Sequence, residues 1–259
     1  MDLGIAGRKA IVCASSKGLG RACAESLAEA GCDVVINGRD GAALDKVAAE
    51  IRAATGAKVT AVAADVATPE GQAALLAACP EPDILVNNNA GPPFRDFREL
   101  SREDMIKGVI ANMIVAVELI QKVVDPMVAR KFGRIVNITS GSVRLPLVGL
   151  DLSSGARAGL TAFMAGVSRS VVHANVTINS LQPGIFDTDR WRGGLQGRAQ
   201  KLGTTFEQER AAGIAAVPAK RVGDPAEFGK ACAFLCSAHA GYITGQALLI
   251  DGGRYPGTM

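Results

Sequence analysis

Seven apolar runs recur along the chain, at positions 10–13, 32–37, 58–64, 83–86, 134–138, 176–180 and 247–250. Each has strand length, is rich in Val, Ile and Leu, and is largely continuous rather than alternating, the pattern of strands buried on both faces. Ala- and Leu-rich stretches with helical spacing lie between them: after Gly20, and at 40–54, 69–78, 101–124, 153–172 and 225–237. Ser101 caps the longest, with Glu103 and Asp104 in its first turn, where carboxylates meet the positive end of the helix dipole. Strands alternating with helices predict an α/β chain, a doubly wound parallel sheet of about seven strands with helices on both faces. No linker, composition shift or repeat divides residues 1–259, so one domain is expected. Residues 187–218 break the rhythm. They are polar and long for a connection, which marks a substrate lid or a mobile insertion.

Composition narrows the functions available. With 48% hydrophobic residues, a chain of 259 can bury a sizeable core. The net charge of +3 is spread without a Lys/Arg cluster and aromatics are only 4%, so neither the basic stripe nor the stacking platform of a nucleic-acid binder is expected. The apolar stretch 110–124 is interrupted by Asn112, Glu118, Gln121 and Lys122 and falls short of the roughly 20 residues of a membrane span. The first residues carry Asp2 and Arg8–Lys9 without an apolar signal core, so a cytoplasmic protein is predicted. Cys13, Cys23, Cys32, Cys79, Cys232 and Cys236 show no C-x-x-C spacing. With only His173 and His239 beside them, buried free thiols are expected and no metal site.

Chemistry begins at the first βα junction. The run 10–13 breaks into Ala14-Ser15-Ser16-Lys17-Gly18-Leu19-Gly20, and a helical pattern follows at once. A helix N-terminus reached through small residues offers unpaired N–H groups to a phosphate, and glycines let ligand and backbone approach closely. An ordinary βα turn has the same look.

Further stretches fall in order. They are Asp65-Val66 after the third strand, Asn87-Asn88-Asn89-Ala90-Gly91 after the fourth, Asn112 on the long helix, Asn179, Pro183-Gly184 and Thr188, and Asp251-Gly252-Gly253 at the last strand. Together with Ala14-x-x-x-Gly18-x-Gly20 they resemble the short-chain dehydrogenase/reductase family over nearly the whole chain, with Ala14 standing where the family has Gly. The resemblance implies a Rossmann fold that binds a nicotinamide dinucleotide. Residues 14–20 would serve as its phosphate loop, Asp65 and Val66 would lie at the adenine, Asn88 or Asn89 with Ala90 in the turn beside the cofactor, and Pro183, Gly184 and Thr188 along the nicotinamide. It also implies a homotetramer or dimer through helices 101–124 and 153–172, where Ala156, Gly159, Phe163 and Gly166 would allow close approach.

Charge selects the nicotinamide. An NAD enzyme needs a carboxylate at the end of the second strand for the ribose 2′-OH. Here that strand ends Ile36-Asn37-Gly38-Arg39, with no acid before Asp40. Arg39 and Lys17 instead suit a 2′-phosphate, so NADP(H) is the expected cofactor.

The catalytic stretch departs from the family, whose reductase site is a Ser followed by Tyr and Lys spaced Y-x-x-x-K. Ser140 fits the first position, with Ser142 as a near alternative, but the next helix carries Ser153-x-x-x-Arg157. A serine hydroxyl is a far weaker acid than a phenol; Arg157 can still bind the cofactor's ribose hydroxyls or a substrate anion, but it stays protonated and cannot pass protons on. A branch of the family resembles this stretch, reading S-V-R-x-P, then L-S-N-x-x-R, beside an A-S-S-K-G-L-G loop. Three readings stand. Asn112, Ser140, Ser153 and Arg157 run an NADP(H)-dependent reaction on a small carbonyl or alcohol, a water or Asp151 completing the proton path. Alternatively the chain catalyses non-redox chemistry, or it binds NADP and regulates or scaffolds without turnover. For the substrate, Pro92-Pro93-Phe94, Phe186 and Trp191 are candidates for an apolar wall. Arg144, Arg190 and Arg192 are candidates for holding a carboxylate or phosphate, or are simple loop anchors.

Overall fold

The computed structural model describes residues 1–257, so the last two residues of the predicted domain lie outside the described residues. Seven parallel strands form one sheet: β1 (Lys9–Val12), β2 (Asp33–Gly38), β3 (Val59–Ala63), β4 (Ile84–Asn87), β5 (Gly133–Ile138), β6 (Val176–Pro183) and β7 (Ala247–Ile250), in the order 3-2-1-4-5-6-7. The helices are α1 (Gly18–Glu29), α2 (Gly41–Thr55), α3 (Pro69–Ala78), α4 (Arg102–Val109), α5 (Val115–Ala129), α6 (Asp151–Val171), α7 (Asp189–Leu202), α8 (Phe206–Ala215) and α9 (Pro225–Cys236).

Alternation across the pleat sorts the core into two layers. Ala10 and Val12 point to the face covered by α1, α2 and α9, joining Leu27, Leu44 and Phe228. Ile11 and Cys13 point to the other, joining Leu119, Leu160 and Met164 of α5 and α6. Burial of each large side chain contributes about 1.5–3 kcal/mol. All six cysteines are buried free thiols. The chain winds outward from β1 through β2 to β3, then crosses back to place β4 on the other side of β1. That reversal opens a crevice at the C-terminal ends of β1 and β4, where such sheets bind ligands.

Three local expectations are corrected. The stretch 101–124 is two helices, α4 and α5, joined by a π turn at Ile110–Ile114. Its cause is Asn112, whose Nδ2 donates to the Gly108 carbonyl one turn back and competes with the helical ladder for it. Helix α6 starts at Asp151, which therefore sits in its first turn; the carboxylate is exposed and accepts from the Gly149 amide at 3.2 Å. Finally, most of 187–218 is regular: Thr188 caps α7 and Thr205 caps α8 in a capping box with Gln208. Buried Glu209 joins the two helices, accepting from Thr204 Oγ1 at 2.8 Å and pairing with Arg198 at 3.0 Å. Of the small-residue face on α6, Ala156 is buried and Gly159 faces Met113 of the same chain, while Phe163 is exposed. No helix among the described residues is long and apolar enough to cross a membrane.

Candidate active site

The loop after β1 is built around two positive-φ residues, Ala14 (φ 45°) and Gly18 (φ 58°). Gly20 is the packing glycine: a Cβ there would lie 2.3 Å from the Ala14 carbonyl oxygen and 2.8 Å from Asn88 Nδ2. Lys17 precedes α1 in extended conformation, and the first turn holds neither an acid nor a side-chain cap, which leaves its N–H groups and dipole for an anion.

The Ser15 hydroxyl is turned inward. It is fully buried, donates to the Val12 carbonyl at 2.7 Å and accepts from the Asn37 amide at 2.9 Å. Asn37 is the residue that sequence reasoning missed. Its Oδ1 accepts from the Ala14 amide and its Nδ2 donates to the carbonyls of Val62 and Ala64, so one side chain ties together the loop and the ends of β2 and β3. The signal was an asparagine closing an apolar strand, repeated at Asn87 and Asn137, which bond each other at 2.9 Å beneath the site. Val66 is also buried in the core, so only its backbone can face a ligand. Ser16 is partly exposed beside Gly38, and Leu19 packs partly buried against the core. Lys17, Arg39 and Asp65 are exposed, and Asp65 Oδ1 accepts from the Ala67 amide.

The two asparagines after β4 take separate roles. Asn88 Nδ2 donates to the Ala14 carbonyl, joining this turn to the 14–20 loop. Asn89 Nδ2 donates to Ala111 and its Oδ1 accepts from the Ala90 amide, while its backbone carbonyl faces Arg157. On the far side, the Gly184 amide donates to Ile250, and a Cβ on Gly184 would meet Asp251 at 2.6 Å. Pro183 ends β6, and the Thr188 methyl approaches Gly18, bringing this segment over the loop.

Arg157 is the centre of the Ser153-x-x-x-Arg157 stretch. It is 8% exposed and spans two strand ends: Nη1 donates to the carbonyls of Ile138 (2.6 Å) and Thr139 (3.1 Å), Nη2 to Asn89 (3.4 Å), and Nε to Ser153 Oγ (3.3 Å). Burial, reinforced by the nearby Arg190 charge, pulls its pKa down to about 10, still protonated at neutral pH. Because Ser153 Oγ accepts from a cation, its own hydrogen is free to donate elsewhere. Ser140 is set likewise, accepting from the amide and hydroxyl of Ser142, at 3.1 and 2.9 Å. A cavity of about 20 Å³, large enough for one water, is lined by Asn87, Asn88, Asn89, Asn112 and Arg157; the buried Oδ1 of Asn112 has no hydrogen-bond partner among the described residues.

Several candidates for substrate contact are accounted for otherwise. Phe186 is core, edge-on to Phe228 at 5.4 Å. Arg144 is spent on Gln182 and the Ala247 carbonyl, and Arg192 pairs with Asp187. Phe94 is exposed, and Trp191 packs against Gly213 of α8. Pro92 and Pro93 line a second cavity of about 230 Å³ that also touches Asn112. Neither tyrosine lines either cavity.

A seven-stranded parallel sheet with this crevice narrows the ancestry, and a family model decides it. The model described as Enoyl-(Acyl carrier protein) reductase matches residues 13–254. The chain belongs to the short-chain dehydrogenase/reductase family. It is 31% identical to the 3-oxoacyl-[acyl-carrier-protein] reductase FabG of Vibrio cholerae over 98% of this chain and 99% of that one. Against the NADPH-dependent reductase BacG of Bacillus subtilis it is 30% identical over 95% of this chain and 97% of that relative. The crystal structure of L-sorbose reductase from Gluconobacter frateurii complexed with NADPH and L-sorbose superposes with TM-score 0.94, at 30% identity, over 99% of this chain and all of that one. These short-chain dehydrogenase/reductase relatives are oxidoreductases, and the fold and its single domain are shared with them.

Proposed function

We propose that the protein is an NADP(H)-dependent oxidoreductase acting on a small carbonyl or alcohol compound, with Ser153 and Arg157 in place of a tyrosine–lysine pair. The observation that carries this reading is the placement of Arg157. Its guanidinium grips the backbone just before Ser140, the Asn89 carbonyl and the Ser153 hydroxyl, so three candidate site elements share one buried cation.

The residues present fit a nicotinamide dinucleotide. Loop 14–20 presents the acid-free N-terminus of α1, and Gly18 supplies the positive φ that the turn into that helix needs. Arg39 and Lys17 suit a 2′-phosphate, because Asp40, the nearest acid, is occupied: its Oδ1 accepts from the Ala43 amide at 3.1 Å as the cap of α2. When bound, the nicotinamide would supply or accept hydride. The chain's own part is to hold the substrate oxygen. Hydroxyls of Ser140 and Ser153 donate to it, and Arg157 stabilises negative charge developing there. Arg157 moves no proton, so the proton reaches that oxygen from water, for which the small cavity lined by Asn112 and Arg157 has room. Asp151 is set aside as proton donor, since its carboxylate is exposed and engaged with Gly149.

Helices α7 and α8 act as the substrate lid. Exposed Met105 and Ile106 on α4, Ile110 and Ile114 on the π turn, and Phe163 on α6 support a homo-oligomer through these helices, which sedimentation tests. A second reading, a nucleotide-binding protein without turnover, is favoured by one observation: no tyrosine, carboxylate or histidine lines the small cavity at Arg157. A panel of carbonyl and alcohol compounds followed at the NADPH absorbance separates the two. Turnover lost in Arg157→Ala supports the enzyme; NADPH binding with no turnover of any compound makes the binding protein the correct reading.

A further inference from the structure

Positive charge near the site is mostly neutralised or spent. Arg95 pairs with Asp104 and Arg192 with Asp187, while Arg144 serves a side-chain amide and a carbonyl. Arg157 and Arg190 differ, for neither pairs with a carboxylate among the described residues. They nevertheless converge. A Cβ on Gly91 would lie 3.1 Å from Arg190 Nη2 and 3.6 Å from Arg157 Nη2, so the two guanidinium groups flank one spot that only a glycine leaves open. Like charges this close oppose one another, and among the described residues only carbonyl and hydroxyl oxygens, no carboxylate, accept from them.

Counting donors shows what is left over. Of the five N–H groups of Arg157, one goes to Ser153, two to Ile138 and Thr139 and one to Asn89, leaving one on Nη2, the nitrogen beside Gly91. Arg190 reaches from the first turn of α7 to the loop after β4, donating from Nη1 to the Gly91 carbonyl (3.0 Å) and from Nη2 to the Pro92 carbonyl (3.1 Å). One N–H on each of these nitrogens and its Nε–H stay free for a further acceptor. The spare donors and the uncompensated charge are therefore on the same side of the site. The nucleotide phosphates have their own positions, at the α1 N-terminus and at Arg39 and Lys17, beyond β1 and β2 rather than beyond β4 and β6.

We propose that Arg157 and Arg190 together seat a carboxylate of the substrate, so that the protein selects carbonyl or hydroxy compounds bearing a carboxylate group. Planar guanidinium forks match a planar carboxylate, and Arg190 is the specificity-determining member, because Arg157 is committed to the strand ends. The inference deepens the oxidoreductase reading and rests on it.

The single tryptophan, Trp191, adjoins Arg190 and reports on the seat. Acetoacetate, methyl acetoacetate and inorganic phosphate are titrated into the protein with and without saturating NADP⁺, following Trp191 emission, with calorimetry as the independent measure. Acetoacetate is expected to bind at least tenfold more tightly than its ester and than phosphate. Arg190→Gln should remove at least tenfold of that affinity, Arg190→Lys should recover part, and NADPH affinity should stay within twofold. Equal affinity for acid and ester, no measurable binding of the acid, phosphate binding as tightly as acetoacetate, or native acetoacetate affinity in Arg190→Gln would each overturn the seat. Preference for the acid in a protein that does not bind NADPH supports the seat and sinks the oxidoreductase reading alone.

Discussion

Replacing Arg39 tests the cofactor assignment most directly. Arg39 follows the last residue of β2 and is exposed, with Lys17 exposed in the adjoining loop. The first acid on that side is Asp40, and its carboxylate caps α2. A guanidinium–phosphate contact is a charge-assisted hydrogen bond, worth about 1.5–3 kcal/mol when one partner is removed. Solvent around an exposed cation trims this to the lower end, about 1.5–2 kcal/mol, or roughly 10–30-fold in affinity. Arg39→Ala should therefore raise the Kd for NADPH roughly 10–30-fold and leave NADH within about twofold, since NADH carries a neutral 2′-hydroxyl. Raising ionic strength from about 0.1 M to about 1 M shortens the Debye length from about 10 Å to about 3 Å and should narrow the native preference towards that of the variant. Nicotinamide fluorescence titrations of both nucleotides, at both salt concentrations, read all of this. Equal Kd values in the native protein, or an unchanged preference in Arg39→Ala, would refute the placement of the 2′-phosphate at the end of β2.

Other variants probe the scaffold and the chemistry. Ala14 holds φ 45°, which costs a non-glycine residue about 1–2 kcal/mol, while glycine loses about 0.5–1 kcal/mol of chain entropy; Ala14→Gly should gain about 0.5–1 kcal/mol in urea unfolding, and a loss would remove the strain argument. Gly20→Ala would favour an open helix by about 1 kcal/mol, but its Cβ would meet the Ala14 carbonyl at 2.3 Å, so the variant should instead lose stability and NADPH affinity together. Ser153→Ala should cut kcat roughly 10²-fold with NADPH affinity within twofold, and full activity would remove the hydroxyl from the mechanism. Glu227, held by Arg221 and the Asp224 amide, has its pKa lowered from 4.5 to about 2. Its folded value lies below the unfolded one, so its contribution is complete above about pH 4.5 and fades as the pH falls through about 2. Circular dichroism of Glu227→Gln should show a shallower loss of stability across that range.

Much of the scaffold was legible along the chain, because each strand and helix is specified by neighbours a few residues away. The seven apolar runs mark the seven strands to within about three residues at each end, and the cap at Ser101 lies in the sequence beside the helix it starts. The long helix was misread as one piece because a π turn depends on where one asparagine side chain bonds, which periodicity does not record. Residues 187–218 read as a polar loop because α7 and α8 lack a strong apolar face; they are held by caps and by Glu209.

Order and chemistry of the motifs, from the small-residue loop at 14–20 to the Ser153-x-x-x-Arg157 departure, were determined by the sequence itself. Tertiary structure alone decided which of those residues face a ligand. It buried the Ser15 hydroxyl, gave Asn88 rather than Asn89 the bond to the 14–20 loop, sent Phe186 into the core, and made Asn37 the tie between three strand ends. It also brought Arg190 to Gly91, 99 residues away, beside a guanidinium from α6. The physical reason is range. Backbone preferences and hydrophobic period act over one or two turns, whereas the partner of a buried polar group is set by which strand ends the packed sheet brings together.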